Sequence, residues 1–336
     1  MNAIFHIGRP KTGSTTLQVF LEQNCKALSG SGIFYDRIVP DISSQWEFPI
    51  AALAELELLP PDPYIRRMLG LEDVADAKAY AAEMMQAFER RLAAAPKEMH
   101  TWVASSEHAW PYLFDQERIG TFDRLMKSHF DEVTYVVYLR RQEDLILSAY
   151  SEAVRRGVDK SFEDFVETFL KKGHGNHLKN LRQWANVAGE ERLVVRLLER
   201  DALKGGDLVE DFCDVLGADA AGMVRPDIYN PSLTKKSLDT FLLINRYIAS
   251  VTTKNETLQS LRTELCRAAE YWGSGGPALT LPLPLLNRIR EQLGPSNEKL
   301  RERFFPEREE LFPPKSPKAP DGVARARTLE PINDSN

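Results

Sequence analysis

Three clusters of polar residues stand where apolar runs of this chain stop, and each has side chains that could hold an anion or move a proton. The first, Gly8-Arg9-Pro10-Lys11-Thr12-Gly13-Ser14-Thr15-Thr16, follows the apolar run from Ala3 to Ile7. Gly13 keeps the backbone bare enough for close approach. Apolar Leu17, Phe20 and Leu21 then recur at helical spacing, so the N–H groups of Gly13, Ser14, Thr15 and Thr16 would be the unpaired donors of a first helical turn, aimed at an oxyanion. The second cluster, Ser105-Ser106-Glu107-His108, ends the run that begins at Thr101 and sets a carboxylate beside an imidazole. Both are groups that exchange protons with a reacting atom. The third is Arg140, at the end of Val133–Leu139, with Ser148 eight positions on. A guanidinium there grips phosphate through a planar fork and stays charged.

Spacing narrows the first site. Gly8 and Gly13 stand as in the nucleoside-triphosphate loop G-x-x-x-x-G-K-[ST], with Thr15 where a Mg²⁺-binding hydroxyl belongs. Ser14, however, replaces the lysine of that motif. The lysine here is Lys11, three places earlier, from where it could reach the bridging oxygen of a phosphate ester rather than the β- and γ-phosphates of ATP. Pro10-Lys11-Thr12-Gly13-Ser14-Thr15 resembles the 5′-phosphosulfate loop of the sulfotransferase superfamily, roughly P-K-[ST]-G-[ST]-[ST], and the continuation Thr16-Leu17-Gln18 resembles a bacterial branch of it. Arg140, Ser148 and Tyr150 resemble the family's 3′-phosphate signature, roughly R-[ND]-P-x-[DE]-x-x-x-S-x-Y, from which the chain departs at Arg141 and Gln142.

That resemblance implies a co-substrate, 3′-phosphoadenosine 5′-phosphosulfate (PAPS), and no metal. Arg9, Lys11, Thr12, Gly13, Ser14, Thr15 and Thr16 would hold its 5′ end, and Arg140 and Ser148 its 3′-phosphate. Lys11, Glu107 and His108 are the implied catalytic residues. Because the bacterial branch commonly carries Ser-Ser-Glu here, Glu107 is favoured over His108 as the base. The acceptor would be a hydroxyl or amine, with a carbohydrate or glycolipid favoured by analogy. Asn230-Pro231-Ser232 resembles an Asn-x-Ser segment that follows the core in the same branch. The competing readings are a P-loop kinase or NTPase using Mg·ATP, opposed by Ser14 and by the lack of an evident strand-end Asp for the metal, and a non-catalytic nucleotide-binding module.

The elements needed to bring these clusters together are strands near residues 3, 32, 102, 134 and 192 with helices between them. They predict an α/β fold of the P-loop-containing, three-layer α/β/α kind with a central parallel sheet. Residues 1–312 read as one domain. It carries a helical insertion over about 46–95, with helices at 46–59 and 75–95 broken by Pro60, Pro61 and Pro63, and a helical carboxyl half over about 218–305. Within that half the spacing predicts helices at 235–251, 256–271 and 285–293, then a final packing helix around 296–305. A helical stretch from Val154 to Asn186 breaks near Gly173–Asn176. His174 and His177 have the spacing of a metal pair, but a glycine-rich break gives them no helical register, and no third ligand accompanies them. From Pro313 to the end the composition predicts a disordered tail.

The formal charge of −6 and pI near 5.7 argue against a nucleic-acid partner. Cys25, Cys213 and Cys266 are far apart and lack metal-ligand spacing, as expected in a reducing compartment. Neither a leader peptide nor an apolar run of about 20 residues is apparent, so the expectation is a cytoplasmic protein that touches a membrane only peripherally, if its acceptor is a lipid.

Overall fold

Alternation of side chains along the strands decides the architecture. The computed structural model describes residues 1–39, 42–227, 233–251, 256–273 and 275–314. Its strands are β1 (Asn2–Ile7), β2 (Ile33–Phe34), β3 (Thr101–Ser106), β4 (Val133–Leu139) and β5 (Leu193–Leu197), paired in parallel in the order β2-β3-β1-β4-β5. Successive side chains of a strand point to opposite faces. Ala3, Phe5, Ile7, Trp102, Ala104, Val133, Tyr135, Val137 and Leu139 therefore enter one buried cluster. Val103, Val136 and Tyr138 enter another on the opposite face. A sheet apolar on both faces needs helices on both, which gives the α/β/α sandwich.

The second face is covered by α1 (Ser14–Gln23) and α2 (Cys25–Gly30) through Leu17, Phe20, Leu21 and Leu28. On the first face lies the insertion, with α3 (Glu47–Glu55), α4 (Pro63–Leu69) and α5 (Val74–Ala93), whose Phe48, Ile50 and Phe88 pack around Trp102. The break expected at Pro63 is instead the start of α4. Asp62 caps it, accepting from the Tyr64 N–H, and proline is well placed at a first helical position because its missing N–H would have had no partner.

After β3 come α6 (Ala109–Tyr112) and α7 (Gln116–Lys127); after β4, α8 (Gln142–Arg155), α9 (Phe162–Lys171) and α10 (His177–Ala188). Helix thus breaks between Lys171 and His177 as expected, and also at 156–161, where Gly157 takes a φ of 105°. After β5, α11 (Leu208–Leu216) joins the second face through Val209, Phe212 and Leu216. The carboxyl half comprises α12 (Lys235–Ser250), α13 (Glu256–Gly273) and α14 (Leu283–Phe304). The last of these runs through Pro295 as one helix, where two were expected. These helices pack on α8 through Leu145, Ile146, Tyr150 and Val154, which leaves another side of α8 for the sheet edge. Asn230–Ser232 and the tail from 315 onward lie outside the described residues.

Candidate active site

In an open parallel sheet, ligands sit beyond the carboxyl ends of the strands where neighbouring connections diverge. β1 lies between β3 and β4, so the loops after these three strands share one edge. They carry Arg9 to Gly13, Glu107 and His108, and Arg140. Gly8 draws the first two together: its N–H donates to the Ser106 carbonyl at 2.8 Å, and a Cβ on it would lie 2.7 Å from the Glu107 Cα. Only glycine permits that approach.

The loop after β1 is wound around the Arg9 carbonyl. That oxygen accepts from the Thr12 N–H at 3.3 Å, the Thr12 hydroxyl at 2.7 Å and the Ser14 hydroxyl at 3.3 Å. To close this turn the backbone is left-handed at Lys11 (φ 68°) and at Gly13 (φ 86°). For a lysine that conformation costs roughly 1–2 kcal/mol, which the surrounding bonds must offset. Gly13 precedes α1 without a side-chain cap, so the first N–H groups of that helix face the loop's open side. Thr15 is exposed and Thr16 half-buried there, whereas Thr12 and Ser14 are buried with their hydroxyls committed to the loop. Gln18 is committed too: its amide donates to Ser105 at 3.3 Å and accepts from Ser43 at 3.4 Å, binding α1 to β3 and to the segment that leads into α3.

Arg9 turns inward. It is buried under the aromatic face of Trp110, 5.1 Å from the ring centre, and donates to His177 Nδ1 at 2.5 Å and to the His174 carbonyl at 2.6 Å. Among the described residues no carboxylate lies within ion-pair distance of it. Burial lowers its pKa to about 9. Of these two histidines, His174 gives its carbonyl to Arg9, and His177 has both ring nitrogens on protein partners.

Lys11 turns outward, and its Nζ lies 2.7 Å from Glu152 Oε2, with both side chains about 30% exposed. Glu152 also pairs with Arg156. Burial pushes the Glu152 carboxyl up, but hydrogen bonding and charge from Lys11, with Arg156 and Arg155, outweigh it and leave the pKa below the ordinary value. Glu107 is displaced the other way, by burial first and the Glu152 charge second, against weaker pulls from Arg156 and Lys11. His108 is enclosed by Trp46 and Tyr112 at ring separations of 5.5 and 5.3 Å and bonded to the Ser44 hydroxyl at 3.1 Å. Burial lowers its pKa to about 4. Of the two proton-transfer candidates, only Glu107 feels Lys11.

From the other side, the Arg140 guanidinium donates to the Lys11 carbonyl at 3.0 Å, so the loops after β1 and β4 touch. Ser148, half-buried on α8, has no side-chain partner among the described residues, and Glu152 follows it one turn later on the same helical face. Arg141 and Gln142, the two departures from the family pattern, fix the turn by other means. Arg141 makes a buried two-pronged pair with Glu199 at 3.2 and 3.3 Å; Gln142 exchanges amide hydrogen bonds with Asn297 at 2.7 and 3.1 Å. Glu152 and His177 are the site residues that motif reading missed. Glu152 carries a sequence signal in its four-residue offset from Ser148, and His177 carries none.

The sequence matches no protein-family model. An uncharacterized protein of Archaeoglobus fulgidus is 28% identical over 173 residues, which is 51% of this chain and 45% of that protein, so the match spans less than half of that relative. Solved structures with a similar chain trace include a sulfotransferase from Alicyclobacillus acidocaldarius (TM-score 0.43, 18% identity, 79% of this chain and 94% of that one). A mouse sulfotransferase complexed with PAP gives a TM-score of 0.37 at 12% identity over 90% and 85% of the two chains. The sulfotransferase domain of the curacin biosynthetic pathway gives 0.39 at 16% over 87% and 96%.

Proposed function

We propose that this chain is a sulfotransferase that moves a sulfuryl group from PAPS to a hydroxyl or amine, with a carbohydrate or glycolipid as the favoured acceptor class. The observation that carries this reading is the 3.0 Å contact between the Arg140 guanidinium and the Lys11 carbonyl. It brings two cation-bearing loops together at one sheet edge, as a ligand with phosphate at both ends requires. The buried Arg9 cation supports the same reading. A buried charge without a carboxylate is costly, and an anion on the open side of the loop would answer it.

Lys11, Gly13 and the uncapped amides of α1 would hold the 5′ end of the nucleotide, and Arg140 with Ser148 the 3′-phosphate. The donor supplies a sulfuryl group on a phosphate-bridging oxygen, and attack by the acceptor at sulfur breaks that S–O bond. Glu107 takes the acceptor's proton as the new bond forms; His108, enclosed and bonded to Ser44, shapes the wall beside it. Lys11 Nζ leaves Glu152 and stabilises the charge growing on the bridging oxygen, an electrostatic contribution of the kind usually largest in such transfers. Arg140 and Ser148 disfavour nucleotides without a 3′-phosphate, ATP among them.

Titration calorimetry with adenosine 3′,5′-bisphosphate and with Mg·ATP tests the assignment. The bisphosphate is expected to bind more tightly, and preference for ATP would replace this reading with a P-loop kinase or NTPase. Transfer of labelled sulfate from PAPS into glycans, glycolipids and phenols then names the acceptor, and binding without transfer to any acceptor would mark a nucleotide-binding module.

A further inference from the structure

The two proposed anion grips are joined twice, once directly and once through His177. Directly, Arg140 Nη1 donates to the Lys11 carbonyl at 3.0 Å. In the second link, His177 Nδ1 faces Arg9 Nη1 at 2.5 Å, and His177 Nε2 faces the Arg140 carbonyl at 2.9 Å. Arg9 and Lys11 belong to one loop, so the contacts close a ring: Arg9 to His177, His177 to Arg140, Arg140 to Lys11, and back through Pro10. The second link crosses 168 residues of sequence between Arg9 and His177.

Chemistry admits one form of the imidazole in this ring. Arginine can only donate and a carbonyl can only accept, so Nδ1 must be the bare nitrogen and Nε2 must carry the hydrogen. Both contacts are satisfied by the neutral Nε2–H tautomer, and a second proton would set Nδ1–H against a guanidinium. Burial first, and then the Arg9 charge, hold the pKa of His177 well below its usual value, with the bond to the Arg140 carbonyl a weaker opposing effect. The residue that carries the link is itself anchored. It begins α10, which is capped by the Asn176 carboxamide accepting from the Lys179 N–H at 3.0 Å, and the same oxygen accepts from Ser296 of α14 at 2.7 Å.

We propose that His177 is a positioning residue that fixes the distance between the 5′-phosphate and 3′-phosphate grips, so that a nucleotide phosphorylated at both ends is bound as one unit. The inference rests on the functional reading above, since it presumes that both grips serve one ligand. Once the first phosphate is held, capture of the second is intramolecular, and its advantage falls steeply when the two sites lose a fixed separation. A ligand with one phosphate gains nothing from that separation. The expected signature is therefore a loss confined to the doubly phosphorylated ligand.

The test compares adenosine 3′,5′-bisphosphate, adenosine 5′-phosphate and adenosine 3′-phosphate by calorimetry on the full chain, in wild type, His177→Asn and His177→Gln. Asparagine places an amide near the Nδ1 position, where it can accept from Arg9 but falls short of Arg140. Glutamine reaches toward the Nε2 position and can donate to the Arg140 carbonyl. Both keep a polar partner in the buried ring, and thermal unfolding confirms that each variant is folded at the assay temperature. His177→Asn is expected to weaken the bisphosphate about tenfold and either monophosphate less than about threefold, with His177→Gln recovering part of the difference. Equal losses on all three ligands, or no loss on any, would overturn the positioning role while leaving the proposed function standing. Wild-type protein that fails to bind the bisphosphate would remove the functional reading, and the inference with it.

Discussion

Arg9 and Lys11 lie two residues apart in one loop, yet they belong to opposite kinds of wall. The Arg9 wall is built from hydrogen bonds to uncharged partners: an imidazole nitrogen, the His174 carbonyl and, through His177, the Arg140 carbonyl. Arg9 and the imidazole are buried, and neither contact between them needs to break when an anion arrives. The Lys11 wall is built from charges open to solvent: Lys11 against Glu152, both about 30% exposed, Glu152 against the exposed Arg156, and Glu107 near all three. Ion pairs this exposed hold typically less than about 1 kcal/mol and exchange readily. Under the proposed function, one wall would fix where the nucleotide sits, and the other would change partners as charge develops.

The sharpest tests fall on the exchangeable wall. Glu107→Gln removes the group proposed to take the acceptor proton, and turnover is expected to fall by roughly 10²–10⁴ with bisphosphate affinity unchanged. In the wild type, kcat/KM should rise with pH along an acid limb lying above the ordinary carboxylate value, because burial and the Glu152 charge hold Glu107 protonated longer. A limb that survives in Glu107→Gln would assign the base elsewhere. Lys11→Ala is expected to cost about 10²–10³ in turnover, the scale of removing one preorganised donor. Its effect on bisphosphate affinity should be much smaller, since binding exchanges one anionic partner of Lys11 for another. Equal losses would mean that Lys11 only holds the ligand.

Arg140→Ala keeps the carbonyl that His177 holds but removes the guanidinium. Loss of a charge-assisted phosphate contact predicts roughly ten- to a hundredfold weaker bisphosphate binding, from about 1.5–3 kcal/mol per such bond. The guanidinium also holds the Lys11 carbonyl, so adenosine 5′-phosphosulfate should weaken as well, by a smaller factor. Equal weakening of both ligands would show that Arg140 supports the loop without touching the 3′-phosphate.

The two walls also differ in how legible they were. Strand ends announce themselves through apolar runs that stop on polar residues, which is why the sheet and the placement of Lys11, Glu107 and Arg140 along one edge could be read from the sequence. Proline is ambiguous by the same local logic. Pro63 starts α4 and Pro295 lies within α14, because its effect depends on whether the lost N–H had a partner at that position. The His177 link could not be read at all. A histidine opening a helix looks the same whether it faces solvent or closes a ring with an arginine 168 positions away, and only the packing of α10 against the β1 and β4 loops distinguishes these cases. Arg141 and Gln142 teach the converse. They look like defects in a motif, yet they hold the same turn through Glu199 and Asn297.

The smallest expected effect is the one most diagnostic of exchange. In the free protein Glu152 occupies Lys11, and a phosphate arriving at the loop must displace that carboxylate or share the lysine with it. Glu152→Gln keeps the side-chain shape and an oxygen acceptor but removes the negative charge, so the incoming anion no longer competes with a charged partner. Bisphosphate affinity should therefore rise about two- to fivefold, the range set by a partly exposed ion pair. The same change removes the second-largest influence that raises the Glu107 pKa, which eases ionisation of Glu107 and moves the acid limb of kcat/KM to lower pH. The two shifts have one cause and should appear together. Weaker bisphosphate binding in Glu152→Gln would instead make Glu152 part of the nucleotide's seat, and the Lys11 wall would then be as fixed as the one behind Arg9.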